Sequence, residues 1–170
     1  HYDRQLYERH GYKSAKLGVQ RLADVVAKNG NLLLSIPMRP DGAIDSDEEA
    51  ILDQLTAWMA ANGEAIHGTR PWRTFGEGPT KPPTGFMAEG AAAPFAAQDV
   101  RFTTKAEALY AMFLEWPDDA RIETLRRGSG TVERVETCAG RPIAFTQRDD
   151  ALRIDLPRAE AGEFVPAVRV

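Results

Sequence analysis

The histidine and cysteine residues of this sequence lack the arrangement of a metal centre or a disulfide. His1, His10 and His67 do not have the spacing of zinc ligands. Cys138 is the only cysteine, which excludes an internal disulfide and any cysteine-based zinc cluster, and its small apolar neighbours favour a packing role. We therefore expect neither a metal nor a cofactor. The segment 1–12 is polar, aromatic and charged without clear periodicity, and we predict a loop there.

Residues 14–62 have the pattern of a helix, a strand and a second helix. Apolar residues recur at helical spacing over 14–28, and again after Ser46, which opens a sequence typical of a capping box. Between the two helices, the apolar run Leu32–Ile36 is typical of a strand buried on both faces, as in a parallel sheet or barrel. Such a strand needs two neighbours for its backbone groups, and residues 1–72 offer no other strand of this kind. We therefore predict that the chain is a fragment whose neighbouring strands lie upstream.

The second half of the chain has a different period. Residues 73–97 are rich in proline, glycine and alanine, which predicts a linker. From Gln98 onward, short apolar stretches alternate with turn signals, which indicates an antiparallel β-sandwich. The predicted strands are 100–104, 109–116, 122–125, 131–137, 143–146, 152–156 and 165–170. The predicted class is thus α+β, with an incomplete barrel end (1–72), a linker (73–97) and a sandwich (98–170).

Charge and hydropathy disfavour two broad classes of partner. The chain has 21 Lys and Arg residues against 25 Asp and Glu residues, for a net charge of −4, and no basic cluster. This balance disfavours nucleic-acid binding. No apolar run approaches the roughly 20 residues that a membrane span requires.

Several stretches, in this order, resemble the fucosidases of glycoside hydrolase family 29. They read KNGNLLLSIPMRPDG at 28–42, NGEAIHGTRPW at 62–72, FGEGPT at 75–80, RFTTK at 101–105 and LYAMFLEWP at 109–117. The resemblance covers nearly the whole chain. It implies a (β/α)8-like catalytic barrel followed by a C-terminal β-sandwich, of which this chain would hold the end.

The resemblance also implies a retaining exo-glycosidase that removes terminal α-L-fucose. An aspartate nucleophile and a glutamate acid/base act together in this mechanism. The family's nucleophile lies on an earlier barrel strand, so we expect this chain alone to be inactive. The resemblance further implies a fucosylated oligosaccharide or glycoconjugate as substrate and a periplasmic or secreted location, and it leaves a homo-oligomer open.

Three residues of segment 1–12 are the candidates for catalysis and substrate binding near the family's acid/base position. His1-Tyr2 resembles an aromatic pair that precedes this position, and Glu8 is the only glutamate nearby, so Glu8 is the candidate general acid/base. A solvated loop role for Glu8 is the alternative, and Arg9 beside it would lower its pKa. Tyr2 would bind a sugar hydroxyl or pack at a strand end, and Arg4 would pair with a carboxylate or remain exposed.

Two further candidate substrate-binding residues lie near the end of the predicted strand and in the loop after it. Ser35 lies one residue from the end of the strand, where barrels gather their reactive groups. It would contact substrate, or alternatively bond to a neighbouring strand. Arg39 lies in the loop above the barrel, where it would border a leaving-group subsite.

Two non-catalytic functions are alternatives to the enzymatic function. Residues 98–170 could be a carbohydrate-binding module, or a structural domain that stabilises the barrel. The sequence disfavours a binding module, because the aromatics Tyr110 and Phe113 fall on opposite faces of one strand.

Overall fold

The computed structural model describes residue 9 and residues 11–81, 93–157 and 163–170. Within these ranges the chain has an α+β fold in which two helices lie against antiparallel sheets. Helix α1 spans Ala15–Ala27 and helix α2 spans Ser46–Asn62. No helix in these ranges combines the length and the apolar composition needed to cross a bilayer.

Local side chains set the ends of both helices. The Ser14 hydroxyl accepts a hydrogen bond from the backbone N–H of Leu17 and caps α1, as predicted. The N-cap of α2 is Asp45 rather than Ser46, so the predicted capping box is displaced by one residue. The Asp45 carboxylate accepts bonds from the N–H groups of Asp47 and Glu48, at 3.1 Å and 3.0 Å.

The strands of the described chain form two antiparallel sheets. The first sheet has the order β1-β2-β3-β8-β5 and the second has the order β4-β7-β6. The strands are β1 Arg70–Glu77, β2 Val100–Lys105, β3 Ala108–Phe113, β4 Ala120–Ile122, β5 Glu136–Thr137, β6 Phe145–Gln147, β7 Leu152–Ile154 and β8 Ala167–Arg169. The longest ladder pairs β2 with β3 in continuous register from Val100 opposite Phe113 to Lys105 opposite Ala108.

The five-stranded sheet is covered by apolar side chains on both faces. One face shares an apolar core with the second sheet, through residues such as Phe102, Ile122 and Leu152. The other face packs against the helices in what we call the helix–sheet cluster, whose buried members are Val19, Ala23, Trp58, Ala65, Tyr110, Met112, Leu114, Val165 and Ala167. The five-stranded sheet is thus a central layer with helices on one side and the small sheet on the other.

A buried ion pair fastens α1 to β2. The Arg101 side chain is only 2% exposed, and its Nε donates to Asp24 Oδ1 at 2.6 Å. Lys28 Nζ binds the second oxygen of the same carboxylate at 2.7 Å. Burial alone would raise the pKa of Asp24, but the bonds from Lys28 and Arg101 outweigh burial and hold the pKa below its usual value.

The prediction that Leu32–Ile36 is a strand buried between upstream neighbours stays a prediction, because those neighbours are not part of the described residues. Within the described residues the segment lies in no ladder, and the Leu33 side chain is 94% exposed. An apolar run favours strand geometry, but a ladder forms only where a neighbouring strand supplies the hydrogen-bond partners.

The predicted linker also contains an unpredicted strand. Strand β1 runs through residues 70–77 and pairs with β2 at the edge of the large sheet. An edge strand tolerates Pro71, which cannot donate a ladder hydrogen bond. A bulge brings the Gly76 backbone so close to β2 that an added Cβ would lie 2.2 Å from Val100 O. Gly76 is therefore needed because two backbones approach closely at this position, and it does not indicate a flexible linker.

Candidate functional site

A groove with an apolar lining opens where the N-terminal loop meets the two helices. The segments Gly11–Ala15 and Leu33–Pro37 form two of its sides, and side chains of α1 and α2, including Ile51 and Leu55, form the rest. Its volume is about 610 Å³. We call it the leucine groove. Gly11 and Tyr12, the last residues of segment 1–12, line the groove. The groove therefore lies next to the segment that holds three of the predicted site residues.

Glu48 is the acidic residue among the described residues that line the leucine groove. The residue is only 5% exposed, and its Oε2 has no hydrogen-bond partner among the described residues. Burial, together with the negative charge of Asp45, raises the pKa of Glu48 above its usual value. Glu48 therefore holds a proton more readily than a solvated glutamate does.

The neighbouring carboxylate of Asp45 is fully engaged in local structure. It caps α2 and also accepts a hydrogen bond from the Tyr12 hydroxyl at 2.6 Å. Burial would raise the pKa of Asp45, but the bonds from Tyr12 and the two capping N–H groups outweigh burial and lower the pKa. Asp45 is thus a stable anion held by three donors, which suits a helix cap better than a nucleophile.

The structure separates the two described candidates for substrate binding. Ser35 is exposed and lines the leucine groove. Arg39 is exposed in the following turn and is not among the lining residues; its guanidinium lies 3.5 Å from Asp41 Oδ2. The turn is closed by the bond from Gly42 N to Arg39 O at 2.9 Å. The geometry thus brings Ser35, and not Arg39, to the groove.

The other three candidates, Tyr2, Arg4 and Glu8, lie outside the described residues and stay predictions. The sequence analysis did not single out Glu48, although a signal was available. Glu48 precedes Ile51 by three residues and Leu55 by seven, which is the spacing of one helical face. A glutamate on the apolar face of a helix is a reason to expect a perturbed pKa.

Metal binding finds no support in the described part of the chain. No group of three or more His, Cys, Asp or Glu side chains there could hold an ion. The carboxylates around the leucine groove are instead occupied by hydrogen bonds or buried without a cation.

The chain matches known proteins over most of its length. One family model, α-L-fucosidase, matches residues 1–64, and a second, the α-L-fucosidase C-terminal domain, matches residues 94–167. Rat plasma α-L-fucosidase is 32% identical over 146 residues, which are 82% of this chain and 28% of that protein. Human tissue α-L-fucosidase is 32% identical over 142 residues, which are 82% of this chain and 27% of that protein.

Solved structures agree with the sequence matches. The structure of Thermotoga maritima α-fucosidase in complex with fucose superposes with a TM-score of 0.68 and 26% identity, covering 92% of this chain and 34% of that one. The chain thus spans about a quarter to a third of the proteins that it matches. The two family models together take in both helices and most of the strands, and the solved fold agrees with this arrangement. The chain belongs to the α-L-fucosidase family.

Proposed function

We propose that this chain is the C-terminal part of a retaining exo-glycosidase that hydrolyses terminal α-L-fucose from glycans. The observation that carries the proposal is the pair of fucosidase family models, which match the chain in order over residues 1–64 and 94–167. In this proposal residues 1–72 end a (β/α)8-like catalytic barrel, and residues 98–170 form a β-sandwich. The substrate is a fucosylated oligosaccharide or glycoconjugate, and the location is periplasmic or secreted.

The exposed leucines of the groove support the barrel part of the proposal. Leu32, Leu33, Leu34 and Met38 form a run of exposed large apolar side chains. Contiguous apolar surface of this kind marks a contact with another part of a protein. Upstream barrel strands would pair with the extended segment and cover these side chains.

The described carboxylates support the proposal that the chain alone is inactive. Retaining hydrolysis needs a carboxylate nucleophile and a second carboxyl about 5–5.5 Å away. In the leucine groove, the described residues provide the buried side chain of Glu48, whose pKa is raised, while the nearby carboxylate of Asp45 is committed to the helix cap. The nucleophile would come from upstream sequence.

The proposal also assigns roles to five individual residues, three of which lie in segment 1–12. Glu8 acts as the general acid/base, Tyr2 and Arg4 bind the sugar or orient a carboxylate, and Ser35 contacts substrate or its surroundings. Arg39 borders the leaving-group side. Support comes from the position of residues 11–15, which lead from this segment directly into the leucine groove beside Ser35.

The test uses an aryl α-L-fucoside with the enzyme that carries this chain. We expect turnover with α-L-fucose as the first product seen by NMR, because double displacement retains configuration. Glu8→Ala should slow turnover by about 10²-fold or more, as loss of a general acid/base does. Added azide should restore the rate by attacking the fucosyl-enzyme without needing a general base.

Glu49→Ala is the matched control, since Glu49 is an exposed glutamate on α2. It should leave the rate unchanged. Initial formation of the β-anomer would refute the retaining mechanism, whereas full activity of Glu8→Ala would refute only the role of Glu8. Turnover by the 170-residue chain alone would refute the proposal that its nucleophile lies upstream.

A further inference from the structure

A second pocket lies between helix α2 and the C-terminal half of the chain. Helix α2 forms one wall with Trp58 and Asn62, and the sheets form the other wall with residues such as Ile143 and Val168. The pocket has a volume of about 540 Å³. We call it the Trp116 pocket, after the half-buried tryptophan that also lines it.

The floor of the Trp116 pocket is rigid and apolar. The indole N–H of Trp58 donates to the backbone carbonyl of Val165 at 2.9 Å, which fixes this ring in the wall between α2 and β8. Ala167, which also lines the pocket, is a buried member of the helix–sheet cluster, and Phe164 packs against that cluster. The floor therefore presents a preformed apolar surface rather than one that a ligand must organise.

The rim of the pocket offers polar groups that are not used inside the described chain. The indole N–H of Trp116 and the guanidinium of Arg141 make no hydrogen bond or ion pair to any described residue. Gln54 and Asn62 each donate through their amide nitrogen to a carbonyl of α2, at 3.2 Å and 3.3 Å, which leaves their amide oxygens as acceptors. The rim thus supplies both donors and acceptors around an apolar floor.

An apolar floor surrounded by a polar rim favours some classes of ligand over others. A lipid or an apolar peptide side chain would leave the polar rim without partners, which is costly once water is excluded. A site for an anion would be expected to contain several cationic side chains, and Arg141 is the only lysine or arginine among the described lining residues. A pyranose ring has an apolar C–H face that stacks on an aromatic ring, and its edge carries hydroxyl groups that both donate and accept.

We propose that the Trp116 pocket is a binding site for a pyranose unit of a glycan, with the sugar face against Trp116 and the hydroxyls bonded to Arg141, Gln54 and Asn62. The inference rests on this pocket alone and not on the proposed hydrolysis. It gives the C-terminal part of the chain a role in holding carbohydrate, and not only a structural one.

NMR of the 170-residue chain tests the proposal, because its three tryptophans are separate indole N–H reporters. Titration with 2′-fucosyllactose or lactose should shift the Trp116 signal saturably, with a Kd of about 1–10 mM for one ring. Trp72 is the internal reference, since it packs edge-to-face on Phe102 in the other core and should not move. Sorbitol, which has hydroxyls but no ring face, should have no effect.

Two variants connect binding to the pocket. Trp116→Ala should abolish the saturable shift of the Trp58 indole signal, whose ring also lines the pocket, and Arg141→Gln should weaken binding by about tenfold, the effect of losing a charged hydrogen bond. Arg141 is exposed, so its replacement should not disturb folding. Arg127→Gln, at an exposed arginine paired with Asp149 elsewhere, should leave binding unchanged.

Three results would each overturn the proposal. They are the absence of any saturable shift at ten times the expected Kd, an equal response to sorbitol, and unchanged affinity in Arg141→Gln. Loss of hydrolytic activity in the whole enzyme would not bear on it, since the readout is binding by this chain.

Discussion

Replacing Asp24 by asparagine would leave the Arg101 guanidinium buried without its counter-charge. Breaking a buried ion pair by removing one partner costs about 3–5 kcal/mol. Arg101 also donates to the carbonyls of Val100 and Glu77, at 3.0 Å and 3.4 Å, so part of its hydrogen bonding survives. Lys28 is partly exposed and can return to water. We therefore expect the lower end of the range, about 3 kcal/mol, which is large against a typical stability of about 5–15 kcal/mol.

Urea unfolding followed by circular dichroism measures this loss. Asp149→Asn is the matched control, because Asp149 and Arg127 form an exposed pair and such pairs contribute little. The double variant Asp24→Leu with Arg101→Met should recover most of the loss, since the rings of Phe75 and Phe95 already lie 5.4 Å and 5.6 Å from the guanidinium. A cost below about 1 kcal/mol for Asp24→Asn would refute the reasoning.

The Asp24–Arg101 ion pair also predicts that the stability of the fold decreases at low pH. Because the pKa of Asp24 is lower in the folded chain than the ordinary value of about 3.9, its ionised form stabilises the fold. This contribution is complete above the unfolded pKa and is lost as pH falls through the folded pKa. The stability difference between the wild type and Asp24→Asn should therefore shrink below about pH 4. A difference that stays constant down to pH 2 would contradict the assignment.

Two further substitutions test local features. Gly78→Ala should destabilise by about 2–3 kcal/mol in urea unfolding, because Gly78 has φ +121° and an added Cβ would lie 2.3 Å from Asp99 Oδ1; a neutral result would show that this loop readily rearranges. Glu48→Gln should raise stability at pH 7 by about 1 kcal/mol, since it removes a buried unpartnered charge. The gain should vanish near pH 4, where Glu48 is protonated anyway, and equal gains at both pH values would exclude this cause.

Sequence reasoning succeeded where structure is decided locally. Helix α1 begins after Ser14 and ends at Ala27, two residues before Asn29 with its φ of +64°, so both end signals lie within one turn of the helix. The ladder of β2 with β3 follows the period-two pattern that the sequence shows. A helix cap and an alternating apolar pattern both depend on residues that are close in the sequence. Both can therefore be recognised from a single sequence.

Elements that the sequence does not settle depend on contacts between distant parts of the protein. The segment Leu32–Ile36 has the composition of a buried strand, but no strand of the described chain lies beside it to form a ladder. Strand β1 was not predicted because it contains Pro71 and Gly76 and because its hydrogen-bond partner is β2, thirty residues further on. Membership of the fucosidase family rests on the sequence and structure matches, and so does not depend on either element.

The candidate site residues stay predictions. Ser35 was identified from its place in an apolar run, and the structure places it among the residues that line the leucine groove. The pKa of Glu48 is raised by burial and by the charge of Asp45; its place on the apolar face of α2 was visible in the sequence, whereas the degree of burial depends on the folded chain.

The helix–sheet cluster limits how this protein can be re-engineered. Its members come from α1 and α2, which lie within the first family match, and from β3 and β8, which lie within or close to the second. A chimera that joined these helices to the sheets of a relative 30% identical would place unmatched side chains around Trp58 and Met112. Exchange of the C-terminal half between relatives would therefore succeed only when the matching helix faces are transplanted with it.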